Sequence, residues 1–478
     1  MDEPFIPPSE SLITLAEWQQ TPASVQQWVI DVWAENNQLR ETVEVLQELV
    51  SRNSQNSSQP PSQDRPEQKP TREASGPPRQ RGGQPGHPGH HRALVEDVDE
   101  VVVYKPISCE QCGALLLGED PAPYRHQVTE LPIVKPHITE YQVHRLTCPC
   151  CGQRNRGELP SVIAASWFGP NAIRLAGFVM GRLRLSKRQV TDLLAECFSI
   201  PMAASTVVNQ QQVISQALAA PVAELEPVVK NAPVCNLEET SWRQVGAPNR
   251  SWLWTVVTAQ VTLFRIAPSR SGQVARALLG EHYGGVAGTD RCSAYTWLKH
   301  RQYCWSHLLR DFQKILERGD DSYPIGWYLK VQAEYLLMKW ARGRDGTVDY
   351  FEFLVEFPTI QTQIRHWLTR GLTASSSRTA ATCRLLLDAD ADLWRFVSIP
   401  GLEPTNHSAE RALRHSVIWR RSSHGTQSDA GSRFVERILT VAETCRQQQR
   451  PVFDFLRDAL IAYRTGQPSP SLLPAHYP

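Results

Sequence analysis

The stretch VCNLEETSWR, Val234 to Arg243, decides how the middle of this chain is read. Apolar residues run up to Leu237, and then two glutamates, Glu238 and Glu239, stand side by side where a strand would leave its core. Further β-type runs follow in SWLWTVVTAQ (Ser251–Gln260) and VTLFRIAPSR (Val261–Arg270). GQVARALLGEHY (Gly272–Tyr283) has helical spacing, and GVAGTDRCSAY (Gly285–Tyr295) returns to a strand. Three strands in succession, then a helix and a fourth strand, predict an α/β layer with a mixed sheet flanked by helices. Paired carboxylates at the end of such a strand suit metal chemistry; a solvated strand end is the plainer reading.

Working outward, 478 residues allow two to four domains with cores of their own. The net charge of +1 gives no global basic field, so a nucleic-acid partner would have to be met by local patches. Eleven cysteines are too few for a disulfide scaffold. The N-terminus has neither a basic region nor an apolar core of signal-peptide type, and no apolar run is long enough for a membrane span. A soluble cytoplasmic protein without membrane partners is expected.

Within an N-terminal segment, residues 1–52, the apolar residues from Val25 to Val50 repeat in heptads. Val25, Val32, Leu39 and Leu46 form one series; Val29, Asn36, Val43 and Val50 form the other. β-branched residues with one Asn at a positions, and Leu at d, favour a parallel two-stranded coiled coil in which Asn36 fixes register. An amphipathic helix packed on its own chain is the alternative. Residues 53–98, rich in Ser, Gln, Pro and Gly, read as a flexible linker.

Residues 99–160 carry CEQCG and CPCCG. Cys109 and Cys112, then Cys148 and Cys151, have the spacing of two knuckles that aim four thiolates at one tetrahedral Zn²⁺. A fully cysteinate set leaves no open position, so such a zinc is structural. Reduced, metal-free pairs are the competing reading. Residues 161–228 are helical. Within them, LSKRQVTDLLAECFSIPMAASTVVNQQQVISQAL (Leu185–Leu218) reads either as a helix-turn-helix or as plain helical packing.

Two further acids stand at chosen places: Asp290 just past a β-type run, and Glu410 early in an amphipathic helix that begins near Thr405 or Asn406. Packed strands and a helix could bring Glu238, Asp290 and Glu410 to one edge of the sheet. Three carboxylates can hold two Mg²⁺ ions about 3.5–4 Å apart for phosphodiester chemistry. In CWSHLLRDF, His307 could orient a phosphate or water, or be a hydrogen-bonded core histidine. Trp242 and Trp305 read as core. After Glu410, Arg411, Arg414, Arg420 and Arg421 read as phosphate contacts.

Taken in order, EETSWR, SWLWTVV, GTDRCSAY, QYCWSHLLRDF, NHSAERALRHSVIWRR and TVAETCRQQQRPVFDFL resemble the transposases of the insertion-sequence 66 family. The zipper-like helix, the GGQPGHPGH linker and the paired Cys-x-x-Cys agree with it. The resemblance implies a DDE catalytic core of ribonuclease-H-like fold over 229–445, with a helical insertion at about 313–398 and a C-terminal helical tail over 446–478. It implies two Mg²⁺ (or Mn²⁺) ions, and DNA partners in the element's terminal inverted repeats and the target. A homodimer or higher oligomer, accessory proteins of the same element and association with the nucleoid follow as expectations. Carried over, Asp290 is the second catalytic acid and Glu410 the third. The family's first acid is the Asp of Asp-Glu-Thr; here Glu238-Glu239-Thr240 stands in its place. That departure leaves two readings: a transposase that cleaves and joins strands, or a catalytically inactive, repurposed DNA-binding derivative.

Overall fold

The computed structural model of the protein describes residues 15–57, 93–164 and 166–473. A short helix α1 (Leu15–Gln20) leads into the long α2 (Ala23–Val50). On α2 the heptad residues Val25, Val32, Leu39 and Leu46 are exposed, as are Val43 and Val50, so most of the seam is not covered by its own chain among the described residues. The end of the helix is anchored to the rest of the chain: Glu48 pairs with Arg318 at 2.9 Å and with Arg378 at 2.7 Å. Beyond it, Asn56 is buried and donates to Glu317. Most of the expected linker, from residue 58 to 92, lies outside the described residues.

The cysteine region is sparer in structure than a β domain. Its strands are the three-residue β1 (Arg145–Thr147) and β2 (Arg154–Arg156), paired antiparallel. Around them the chain is extended, with Tyr104, Tyr124 and Ile133 each at least 90% exposed, too open to form a second face of a sheet.

From here the elements pack. After α3 (Ser161–Ala164) come α4 (Pro170–Gly181), α5 (Lys187–Phe198), α6 (Ala204–Ala217), α7 (Ala219–Ala223) and α8 (Leu225–Lys230). A capping box fixes where α5 begins: Ser186 accepts from the Gln189 backbone while the Gln189 side chain accepts from Ser186. The sheet follows: β3 (Val234–Trp242), β4 (Ser251–Val257), β5 (Thr262–Ala267), helix α9 (Gly272–Leu279), β6 (Val286–Thr289) and β7 (Arg301–Tyr303). Their order is β5-β4-β3-β6-β7. The first three run antiparallel in sequence order, while β6 and β7 join β3 in parallel, as a mixed sheet requires. β3 is therefore central, and the later helix His407–Ser423 packs on it.

A helical insertion then interrupts the layer: α10 (Trp305–Glu317), α11 (Ser322–Arg344), α12 (Tyr350–Gly371), α13 (Ser377–Asp388) and α14 (Asp390–Trp394). These close a second core around Trp305, Phe312, Leu329, Phe353 and Leu386. That core also takes in Val286 and Tyr303 from the sheet and runs to Leu402; its helical part begins with the amphipathic face of α10 at Trp305.

The chain returns with α15 (His407–Ser423), α16 (Asp429–Gln447) and α17 (Val452–Thr465). α16 covers edge strand β5. Thr444 accepts from Thr262 N at 3.1 Å, Thr440 from Phe264 N at 3.0 Å, and Glu436 from Ile266 N. Four residues of helix advance about 6 Å and two residues of strand about 6.6 Å, so the two rows stay in step and the edge is closed to other strands. α6 packs on α4, α5, α16 and α17, and α17 on α4, so the 161–228 helices and the C-terminal tail share the main core with the sheet.

Candidate functional site

Parallel pairing of β3 and β6 aligns Asn236 with Gly288, and two residues further on each strand reaches Glu238 and Asp290. The close approach needs Gly288: a Cβ there would stand 2.2 Å from Asn236 Oδ1. Arg301, buried on β7, fixes the end of β6 by donating to Thr289 Oγ1 at 3.2 Å and to the Asp290 carbonyl at 2.8 Å. Asp290 Oδ1 in turn accepts from Cys292 N at 2.8 Å.

The third acid arrives on α15. Glu410 lies in its first turn, and α15 packs on β3. The join is made by Asn406, fully buried, whose Nδ2 donates to Glu238 Oε2 at 2.6 Å and to Leu237 O at 3.3 Å. The start of α10 is tied to the same place. Trp305 N donates to Pro404 O at 2.9 Å, and Asn406 N to Cys304 Sγ at 3.4 Å. Two helix N-termini thus end beside the acids, where their dipoles favour negative charge.

The first turn of α10 also delivers His307. Ligand atoms of Glu238, His307 and Glu410 all lie within 4.8 Å of one another, the single such triad among the described residues. His307 Nε2 is 3.8 Å from Glu410 Oε1. Asp290 stands outside that triad, on the wall of a cavity of about 130 Å³ that it shares with His307, Arg310, Asp311 and Lys314. A larger cavity of about 350 Å³ lies away from the acids, between the end of α2 and the insertion.

Glu239 faces the opposite side of β3. It is 6% exposed, accepts from Arg270 Nε at 2.6 Å and takes a short hydrogen bond from the Tyr295 hydroxyl. Those contacts leave Glu238 as the member of the opening pair that meets Glu410. Arg270 also reaches within 3.7 Å of Asp290.

The electrostatics follow from this crowding. Burial, then the charges of Asp290, Glu239 and Glu410, hold the Glu238 carboxyl well above the usual glutamate range, against the lowering bond from Asn406. Glu239 is raised as well, by burial and Asp290. His307 is pushed below the ordinary histidine value by burial and Arg310, which keeps its imidazole neutral.

The sign for stability is then fixed. A carboxyl raised in the folded state binds its proton more tightly there than in the unfolded chain. The metal-free protein should lose stability as pH rises from the ordinary glutamate value of 4.5 through the raised value of Glu238. Glu238→Gln should flatten that slope and melt higher at neutral pH, by roughly 2–4 °C for each kcal/mol relieved. Melting curves of both proteins across this range test it; equal slopes would remove Glu238 as the source.

The arginines divide. Arg411 and Arg414 are exposed on α15. Arg420 is turned inward: it donates to Thr240 Oγ1 at 3.1 Å and Ser241 Oγ at 2.7 Å, holding α15 on β3 where a phosphate contact had been expected. Burial, followed by the charges of Arg250 and Arg421, lowers its pKa, so those two guanidiniums share its surroundings.

The cysteine pairs form two matched turns. Cys109 N donates to Ala114 O at 2.9 Å and Gly113 N to Cys109 O at 2.9 Å; Cys148 N donates to Gln153 O at 2.8 Å and Gly152 N to Cys148 O at 2.9 Å. Gly113 and Gly152 both have φ +72°, which a side chain would resist. The Cys109 and Cys148 thiols are lowered by the backbone N–H groups of Cys112 and Cys151 respectively, the environment a thiolate ligand needs. The four sulfurs are not gathered into one cluster as the Glu–His–Glu triad is.

Sequence reasoning missed Asn406 as the clasp between α15 and Glu238. The only signal was an Asn just ahead of a helix, which reads as a cap. It also left His307 between two roles, because a spacing three residues after Cys304 does not show what the ring will face.

A family model described as the transposase IS66 family matches residues 186–433, just over half of the chain. Residues 6–93 match a family of unknown function, DUF6444. The uncharacterized protein y4qI of Sinorhizobium fredii is 24% identical over 249 residues, 47% of this chain and 46% of that protein, so the alignment spans about half the length of each.

Proposed function

This chain belongs to the transposase IS66 family, and from that premise we propose that it cleaves and joins DNA strands at the ends of a mobile element with divalent cations. The observation that carries the reading is the meeting of Glu238 and Glu410 from β3 and α15, with Asp290 beside Glu238 at the end of β6. The order of the sheet, with three antiparallel strands and two parallel ones added to the first, supports a ribonuclease-H-like core.

The residues fit the ions that this family's chemistry calls for. Clustered carboxylates, one of them strongly disfavoured as a bare anion, are the donor set of a hard cation. Glu238, Asp290 and Glu410 would hold Mg²⁺ or Mn²⁺, two ions in all; when bound these would activate the attacking hydroxyl and stabilise the leaving oxygen. Asn406 sets the direction of the Glu238 carboxylate through its 2.6 Å bond. Arg411 and Arg414, exposed one turn from Glu410, would take the phosphates on either side of the cleaved bond. The two knuckles of Cys109, Cys112, Cys148 and Cys151 would close on one structural zinc ion. The uncovered heptad seam of α2 would pair with that of a second copy, giving a dimer that holds two element ends. No helix among the described residues is long and apolar enough to cross a membrane.

The Glu at position 238 favours one other reading, an inactive DNA-binding derivative. Labelled duplex carrying the element's ends separates the two. Cleavage that requires Mg²⁺ or Mn²⁺ and stops with a chelator supports the enzyme; salt-sensitive binding without cleavage under either ion supports the derivative. Glu238→Asp gives the sharper result. The shorter side chain draws its carboxylate back by roughly an ångström, leaves the Asn406 amide without that partner and loosens the approach to Glu410. Cleavage should fall about a hundredfold. A rise instead would mark Glu238 as damage to an ancestral site.

A further inference from the structure

We propose that His307 is a direct nitrogen ligand to the cation held by Glu238 and Glu410, an assignment that rests on the metal-dependent reading above and makes this a mixed nitrogen–oxygen site selective for Mn²⁺ over Mg²⁺. A ring nitrogen of His307 lies in the same 4.8 Å triad as the two carboxylates. The ring is mostly enclosed, with 11% of its side chain exposed, and its Nδ1 is buried with no hydrogen-bond partner. Nε2 is the ring nitrogen nearest Glu410, at 3.8 Å, and no hydrogen bond at the buried Nδ1 commits the ring to another partner. Asn406 Oδ1, in the fully buried clasp on Glu238, is unpartnered as well. The corner therefore holds uncommitted polar atoms as well as carboxylates.

The other histidine near Glu410 is placed for a different task. His407 Nε2 is 3.9 Å from Glu410 Oε2, but it is engaged with Ser306 Oγ at 2.8 Å and its side chain is 43% exposed. His307 is the one that faces inward. A neutral imidazole is the form of histidine that binds metals.

Two consequences follow from the chemistry. Mg²⁺ prefers an all-oxygen shell and gives up water reluctantly, whereas imidazole suits the later first-row ions better. The extra methylene of Glu238 also acquires a purpose. It carries the carboxylate toward the α10–α15 corner, where His307 waits, and leaves Asp290 outside the triad.

Pulsed electron paramagnetic resonance of Mn²⁺ on the full chain, grown with ¹⁵N-histidine, reads the bond directly. We expect the coupling of a coordinated imidazole nitrogen in the wild type. It should vanish in His307→Gln, Glu238→Gln and Glu410→Gln, and persist in His407→Gln. Mn²⁺ affinity should fall about 10–100-fold in His307→Gln, at least what loss of a ligand's outer partner costs, and Mg²⁺ affinity by less. Mn²⁺ bound in dependence on Glu238 and Glu410 but without nitrogen coupling would overturn the assignment of His307 while leaving the carboxylate site intact. Absence of any Mn²⁺ binding that depends on those glutamates would bring down both. Because the coupling is read in the unmodified protein, an unstable variant does not mask the result.

Discussion

Asp290→Ala is expected to abolish metal-dependent strand cleavage, a loss of at least about a thousandfold, because a metal-holding carboxylate acts as part of a unit whose members do not substitute for one another. The fold gives little reason for the variant to fail in any other way. The end of β6 is held through backbone and hydroxyl atoms, by Arg301 on the Asp290 carbonyl and on Thr289 Oγ1, and alanine leaves both in place. Arg270 keeps its 2.6 Å bond to Glu239. Cys292 N loses an acceptor, at a position open enough for water to replace it, and Arg270 gives up its 3.7 Å approach to Asp290. DNA affinity should therefore move little, and the melting temperature at neutral pH should not fall, since a charge that disfavours the Glu238 anion is removed. Asp290→Asn sharpens the test, since it retains the Oδ1 acceptor of that turn and removes only the charge; it should be as inactive as the alanine variant. Single-turnover cleavage at saturating Mg²⁺ or Mn²⁺ measures this. More than a tenth of wild-type rate in either variant would exclude Asp290 from the metal-holding set.

What the sequence made legible follows from which interactions are local. An apolar run broken by glutamates showed where β3 lies, the apolar run SWLWTVV where β4 lies, and the β–α–β rhythm from Val261 to Tyr295 was enough for a mixed sheet. The proximity of Glu238 to Asp290 was within reach because parallel neighbours place equivalent strand ends side by side. The heptad of α2 was legible as a helix, but its spacing alone does not say whether the seam is covered, and among the described residues most of it is exposed. Long-range satisfaction was not legible. Nothing local in Glu436, Thr440 and Thr444 announces that they serve the free N–H groups of β5, or that Arg420 turns in to Ser241 and not out to solvent. Polar side chains with helical spacing look like a solvated face until a strand edge is laid against them. The family motif located Glu410; it carried no sign that Asn406 and His307 would surround the same carboxylates.

Trp305→Ala should destabilise the insertion by about 3–5 kcal/mol, the usual cost of removing a fully buried tryptophan, and should take the site with it. Trp305 has no exposed surface and opens α10. Its ring lies 5.0 Å from Trp394, centroid to centroid, and its Nε1 donates to Leu393 O at 2.8 Å. Gln302 Nε2 also donates to that carbonyl, at 3.1 Å, so truncation does not leave the oxygen bare. The loss is then mainly one of packing, and Trp305→Phe, which retains a ring of similar placement, should cost only about 1–3 kcal/mol. The link to function is geometric. The same residue's backbone N–H holds Pro404, two residues before Asn406, and His307 is two residues further along α10. A void under that turn lets α10 and α15 drift apart, and with them the ligand atoms of His307 and Glu410 that now lie within 4.8 Å of each other and of Glu238. The alanine variant should lose the insertion's core in a separate early transition in denaturant, as weakly coupled cores do, and Mn²⁺ binding should disappear in that transition. Trp305→Phe should melt in one step and still bind. An alanine variant within 1 kcal/mol of wild type would mean that the corner is held from the β3 and α15 side alone, and that the insertion only rests against it.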